Sequence, residues 1–544
     1  MVEEITDNMP SINKSVIRFS GQDWVQGAAP QYGDGVDSLP GMVGAGNTAL
    51  KAIDPFRALG YILPAPLPES PTNANVISAL LIAGVSGVES SVNYFYALEQ
   101  GSKIHRLASL DYSITNAGSW PRTILGNGVT TGDDMIEYSV NIAGTREKCL
   151  FYSWNDGGAA WNIGRYRISN GTFDDDWLTT VPANAPTLSG NAKPHPMIRG
   201  ANDILYVGDG NVMQGIDGAN GTNGTYIAGS LTLPADYIIT SFAKTDSFLV
   251  IFAYRSLIGA TLAPDDFGGS QDATAFFWNY IDLDPTFVMP LNDDNVSGAF
   301  AYQSTIGCFT AGADASREVN GGNRTSRLRI FDGTQFTLVK QFTGNLPKYR
   351  GVQVVNDSIQ WNSQGVVHCY GSPYAEVEAG LNLTYRGSGT STGLYAIIGG
   401  SAGYPIASSG ISTSGGLQRF QSGFTNSSLL LSEAANPQVD PGQMGLIKSV
   451  TVYFGATVTG GRTVTVSTVT DGTTVTTVLN AVSTINAGNL VSRYIFDTSG
   501  NELVRFSEVR VSVSYATGAG STEAPAVRWI DVEYEPVTIL STEI

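Results

Sequence analysis

Residues 204–217, ILYVGDGNVMQGID, constrain the fold more than any other part of the chain. An apolar run from Ile204 to Val207 reaches Asp209-Gly210, and a second run follows through Val212 and Ile216. A tight turn that matches the twist of two strands needs positive φ, so Asp-Gly between such runs predicts a β-hairpin. Asn170-Gly171 separates residues 165–169 from 172–173 in the same way, and Asp332-Gly333 separates 327–331 from 334–338. The middle of the chain reads as a series of small antiparallel units.

The units recur. They begin near Val76, Met135, Ile204, Tyr237, Gly298 and Val352, and the last runs to Ile398. Each holds about four strand-like runs over about 50–60 residues, the period of β-propeller blades. About six blades are expected, with five or seven as the alternatives. No WD dipeptide pattern and no kelch double glycine accompanies them, so the expectation rests on period and strand number alone.

The flanks differ. Residues 1–75 carry many breakers and little periodicity, and predict an extended N-terminal arm. Within it, IDPFRALGYILPAP places Phe56, Leu59, Tyr61 and Leu63 where they can pack on a neighbouring surface, either of another subunit or of the same chain. Residues 399–416 are rich in Gly and Ser and predict a linker. From 417 to 544, Val and Thr alternate with polar residues, as in Ile530, Val532 and Tyr534. Period-two alternation of β-branched residues marks half-buried strands, here a β-sandwich or jelly roll of about eight strands. The fold class is therefore all-β: arm, degenerate propeller at 76–398, linker, sandwich.

Composition narrows the function. The chain has 544 residues, 30 basic against 48 acidic, and a net charge of −18. A surface of that sign repels phosphate backbones and anionic lipid, so specific nucleic-acid binding and membrane-surface binding are not expected. The longest apolar runs, 76–88 and 248–254, are too short for a bilayer. The acidic start, MVEEITDNMP, reads as a chain without a secretion signal of its own.

Groups that carry chemistry are sparse. The three cysteines, Cys149, Cys308 and Cys369, lie far apart and predict buried thiols rather than a disulfide framework or zinc site. The three histidines, His105, His195 and His368, lack a ligand or nucleophile nearby in sequence and read as structural or solvated. Acidic runs at Asp174–Asp176, Asp265-Asp266 and Asp293-Asp294 lack EF-hand spacing and read as solvated turn carboxylates. SWNDGGAAW at 153–161 approaches the Asp-box of glycosidase propellers, with Asn155 at the Asp position and Trp161 one residue late. Such a box is a folding turn, not a catalytic element. Gly208-x-Gly210 lacks the rest of a nucleotide loop, and sequons such as Asn170-Gly171-Thr172 are frequent by chance in a chain of this composition. No catalytic residue, metal ligand or cofactor is expected.

The layout resembles structural proteins of tailed-phage virions. The arm with IDPFRALGYILPAP, the degenerate propeller, and a sandwich opening near LQRFQSGF and ending RWIDVEYEPV carry the resemblance. In that group, propeller proteins form rings at the neck or tail, as the tail nozzle does. The resemblance implies a non-enzymatic virion protein made in the host cytoplasm. It implies a symmetric homo-oligomer, contacts with other neck or tail proteins, and at most DNA passing through an acidic lumen. It carries over no functional residues. Two readings from other classes are a carbohydrate-binding tail-fibre or cell-surface protein, and an extracellular glycosidase with paired carboxylates at the propeller centre.

Overall fold

The computed structural model describes residues 15–19, 50–51, 61–64, 66–69, 81–89, 91–99, 103–108, 122–123, 131–155, 160–180, 185–189, 194–221, 223–256, 270–302, 304–312, 325–343, 346–355, 358–363, 366–371, 380–386, 394–399, 405–409, 417–424, 428–431, 435, 443–496, 504–518, 520 and 522–538. Among them every regular element is a strand, apart from two short 3₁₀ turns, Tyr349–Gly351 and Ala487–Asn489. No described helix is long and apolar enough to cross a membrane.

The hairpin at 204–217 forms as expected: Ile204–Asp209 pairs antiparallel with Val212–Asp217, and Asp209 faces Val212. The turn is Gly210-Asn211, with Gly210 at φ 65°, so glycine stands first of the two central residues. Asp209 ends its strand, and its carboxylate accepts bonds from the Ser189 N–H and hydroxyl at 2.7 and 2.6 Å.

Among the described residues, seven antiparallel sheets of four or five strands follow one another between residues 66 and 424. Their first strands are Leu81–Glu89, Thr131–Ile142, Met197–Arg199, Tyr237–Lys244, Asn295–Tyr302, Val352–Val355 and Leu394–Gly399. Each of these touches the next, and the last returns to the first, so they form a closed ring around an axis. That is the β-propeller arrangement. Apolar faces of adjacent sheets share cores: Tyr138, Phe151 and Trp177 of the second sheet pack with Leu205 and Ile216 of the third. Polar ties cross the same boundaries. The Tyr138 hydroxyl donates to the Asp203 carbonyl at 2.6 Å, and the Thr240 hydroxyl to the Val296 carbonyl at 2.8 Å.

The sheets outnumber the expected units for two reasons. Residues 352–359, at the start of the last expected unit, hold two paired strands, Val352–Val355 and the start of Ser358–Ser363, so that unit has its four strands before Leu394. Leu394–Gly399 therefore opens a further sheet. That sheet takes Pro405–Ser409 from the passage expected as a linker and Leu417–Phe424 from the start of the expected sandwich. Its fourth strand is Pro66–Glu69, from before the first sheet.

Among the described residues, two five-stranded sheets make the C-terminal sandwich. Alternation works as expected: Val464 and Val466, Val509, Val511 and Val513, and Ile530, Val532 and Tyr534 share one core. The N-terminal segment supplies the unexpected strands. Ser15–Phe19 pairs with Val527–Thr538, and Leu50–Lys51 with Ser428–Leu431. Phe19 and Ile62 lie in the sandwich core, and the Tyr515 hydroxyl donates to the Ile62 carbonyl at 2.8 Å. The described pieces of the expected arm are thus woven into their own chain. Their strands are too short to show a period, and their partners lie at the far end of the sequence.

Candidate functional site

The axis of the propeller holds the most unusual geometry. Between Phe336–Thr343 and Val352–Val355 the chain turns inward through the buried Leu346 and Pro347 and forms the 3₁₀ turn Tyr349–Gly351. This turn touches the inner strands Leu81–Glu89, Asn295–Tyr302 and Leu394–Gly399, so it lies across the axis. From there Arg350 reaches the second sheet. Its Nε and Nη2 donate to the two oxygens of Asp134 at 2.6 and 2.9 Å, and Nη2 also donates to the Met197 carbonyl at 2.8 Å. Its guanidinium stacks over the Tyr349 ring, 4.5 Å from the centroid. Burial, the largest single influence, lowers the Arg350 pKa, but the charge and hydrogen bonds of Asp134 together with the charges of Tyr349 and Asp133 outweigh it and raise the pKa.

A break in register places the acids. The pairing of Thr131–Ile142 with Thr145–Asn155 shifts between Gly132 and Met135, which frees Asp133 and Asp134 from the ladder. The Asp134 carboxylate also accepts the N–H groups of Met135 and Met197, both at 2.7 Å. Asp133 accepts from the His195 N–H. Burial pushes the Asp133 carboxyl above the usual range, the Asp134 charge adds to this, and His195 opposes it. Two adjacent acids are thus set apart: burial holds Asp133 against ionisation, while the Asp134 oxygens are shared among a guanidinium and two amides and anchor the turn.

Beside Arg350 lies a cavity of about 420 Å³. Its wall is apolar at Ile198, Phe242, Phe300 and Val352, and polar at Lys244, Tyr349, Arg350 and Gln353. These axial residues carry almost no sequence signature. The nearest to one is the acidic pair at 133–134 set directly before apolar Met135 and Ile136.

His105 and His368 sit on strands of different sheets, Lys103–Ala108 and Val366–Gly371, and His195 lies just before the strand Met197–Arg199 of a third. Contrary to expectation, two of them have carboxylates close by: His105 Nε2 is 2.7 Å from Glu99, and His195 Nε2 is 3.6 Å from Asp209 while stacking near Trp161. His368 is buried against Trp361, with ring centroids 5.2 Å apart, and burial pushes its pKa down to about 3. Cys149 and Cys308 are buried and free of disulfides, and burial raises both thiols. The side chain of Cys369 lies outside the described residues.

Two acidic runs depart from the solvated reading. Asp175 is buried and accepts from the Tyr152 hydroxyl, while its carbonyl takes the Trp154 indole N–H at 2.8 Å. Asp293, with a side chain 3% exposed, is held by Arg327, by Arg329 at 2.9 Å and by the Thr310 hydroxyl. Basic and hydroxyl groups on adjacent strands, far away in sequence, convert turn acids into internal anchors. Asp265-Asp266 lies outside the described residues. In the near Asp-box, Asn155 pairs with Trp161 across a hairpin, and the Ser153 hydroxyl accepts the Asp134 N–H at 3.1 Å. Among the described residues no group of three or more His, Cys, Asp and Glu stands as metal ligands would. Of the arm residues, Leu63 packs on the sandwich core of its own chain and Tyr61 lies against Gly455. Phe56 and Leu59 lie outside the described residues.

No protein-family model matches the chain, and no curated protein matches it in sequence. Solved propellers resemble it in shape. The Dos1 propeller aligns with a TM-score of 0.38 at 10% identity, covering 70% of this chain and 92% of its own. BamB from Moraxella catarrhalis aligns with a TM-score of 0.32 at 11% identity, covering 63% and 83%.

Proposed function

We propose that the protein is a non-enzymatic structural component of a tailed-phage virion, forming a symmetric ring in the neck or tail with copies of itself and contacts to neighbouring virion proteins. The observation that carries this reading is an ordered, outward-pointing aliphatic loop. In the connection from Ser270–Trp278 to Phe287–Pro290, Ile281 is 84% exposed and Leu283 89%. The loop is preformed: the Asn279 side chain donates to Asp282 at 2.6 Å and accepts the N–H groups of Ile281 and Asp282, and the Trp278 indole N–H donates to the Asp282 carbonyl. Val288, 54% exposed on the edge strand that follows, extends the patch.

Grouped exposed aliphatics mark interaction surfaces, and a preformed loop loses little entropy on docking. Net negative charge suits a ring lumen that lets duplex DNA pass without holding it. Such a lumen would lie between subunits, since the propeller's own axis is crossed by Tyr349–Gly351. The carbohydrate-binding alternative would use the half-exposed Tyr453–Trp529 pair on the sandwich. Arg18 and Arg528 cover that indole at 5.3 and 4.4 Å from its centroid, which weighs against stacking of a sugar.

The test is particle mass by light scattering of the purified chain and of Ile281→Asp/Leu283→Asp. A discrete oligomer for the natural chain and a folded monomer for the variant are expected. Equal masses for the two would overturn the role given to this loop, and a monomeric natural chain would overturn the ring.

A further inference from the structure

We infer that the axial cavity is a binding site for a small amphiphilic carboxylate, an organic acid with one anionic end and a compact apolar body. The inference is independent of the virion reading.

The first observation is space. Gly84, which has no side chain, and the methyl groups of Ala243, Ala299 and Ala301 line the cavity from three inner strands and leave a volume of about 420 Å³. That is within the range of small-molecule sites, and too large for the void of a well-packed core.

The second is charge. Lys244 and Arg350 line the cavity and, among the described residues, no Asp or Glu does, although the chain as a whole carries −18. Lys244 is exposed, and its only hydrogen bond among the described residues is to the Arg199 carbonyl at 3.2 Å, which leaves two of its three donors. Arg350 spends Nε and Nη2 on Asp134 and Met197, while Nη1 makes no hydrogen bond among the described residues. The Asp134 carboxylate that balances Arg350 is not among the lining groups.

The third is an unmet polar group. The side-chain oxygen of Gln353 is buried with no hydrogen-bond partner among the described residues. An orphaned buried acceptor destabilises a fold unless something satisfies it. A primary amide can turn about its last torsion, so Gln353 can offer N–H to an anion or its oxygen to a ligand hydroxyl.

These groups select a ligand class. One free ammonium and one free edge of a guanidinium match a single carboxylate, whereas a dianionic phosphate needs more donors than the wall supplies. Phe242, Phe300, Ile198 and Val352 offer apolar contact for the remainder of the ligand.

The test is isothermal titration calorimetry of the full-length protein with hexanoate, benzoate, hexanol and inorganic phosphate. Hexanoate or benzoate is expected to bind at one site, with hexanol and phosphate each at least about tenfold weaker. Lys244→Ala should weaken carboxylate binding by about fivefold or more without changing the melting temperature, because Lys244 is exposed and lies outside the cores. Gln353→Leu should weaken binding while leaving the protein folded. Carboxylate binding unaltered by Lys244→Glu, absence of carboxylate binding, or phosphate binding as tight as that of benzoate would each overturn the assignment.

Discussion

Arg350 and Asp134 stand 216 residues apart in sequence and meet fork to fork at the propeller axis, at 2.6 and 2.9 Å. The pair joins the connection before the sixth sheet to the second sheet, so it spans the ring instead of running along it. Asp134 is 2% exposed on its side chain, and removing its partner strands a buried charge. Arg350→Ala is therefore expected to lower unfolding free energy by about 3 kcal/mol. Arg350→Lys should recover only part, since an ammonium cannot reproduce the two-point contact. Urea unfolding followed by tryptophan fluorescence measures both. A loss under about 0.5 kcal/mol for the alanine variant would show that the clamp is not structural.

Asp133, beside it, makes the stability of the fold depend on pH. Its folded pKa lies above the unfolded value, so ionisation disfavours the fold, and the penalty is fully present only at pH values above the raised pKa. Asp133→Asn keeps an acceptor for the His195 N–H and removes the charge. The variant is expected to melt higher than the natural protein at neutral pH, with the difference vanishing as pH falls below the ordinary carboxylate range. Melting curves from pH 7 down to about 3 decide it; a variant less stable at every pH would mean that the ionised form is the favoured one.

What was legible in the sequence was local. Hairpins announced by Gly210, Gly171 and Gly333 form because each of these glycines takes a positive φ that a turn requires. The sandwich strands followed from alternation, since Val509, Val511 and Val513 can reach one core only as a strand. What stayed hidden depends on pairings across the whole chain. Pro66–Glu69 has no strand signature of its own, with two prolines in four residues, and becomes a strand because Leu417–Phe424 leaves an edge for it. Asp293 looked like a solvated turn acid because Arg327 and Arg329 lie 34 and 36 residues away. The axial site was invisible for the same reason: Lys244, Arg350 and Asp134 belong to three separate stretches with no shared spacing.

The woven N-terminus makes truncation costly to the chain's own fold. Deleting residues 1–19 removes the edge strand Ser15–Phe19 and the buried Phe19 ring, whose loss alone is worth about 2 kcal/mol. The Arg18–Asp531 pair adds little, because the Arg18 side chain is 57% exposed. Deleting residues 1–70 also removes Leu50–Lys51, Ile62 and the strand Pro66–Glu69 that completes the seventh sheet. The longer deletion is expected to melt well below the natural chain, or to aggregate through the opened edges. Calorimetry of both truncations checks this. A 1–70 deletion with an unchanged melting temperature would mean that the segment serves only contacts outside its own chain.

His368 sets an acid limit on the fold. Its imidazole is buried against Trp361 and burial lowers its pKa to about 3, far under the ordinary histidine value of about 6.5. A histidine with a depressed folded pKa is neutral in the fold and protonates more readily in the unfolded chain. The stability it permits is complete above about pH 6.5 and declines as pH falls toward the folded value, at up to about 1.4 kcal/mol per pH unit. His368→Phe keeps a flat ring for the contact with Trp361 and cannot protonate. Between about pH 6 and 4 the natural protein should lose stability more steeply than the variant, by close to one proton's slope. Parallel slopes for the two proteins in urea titrations across that window would show that His368 protonates without opening the fold.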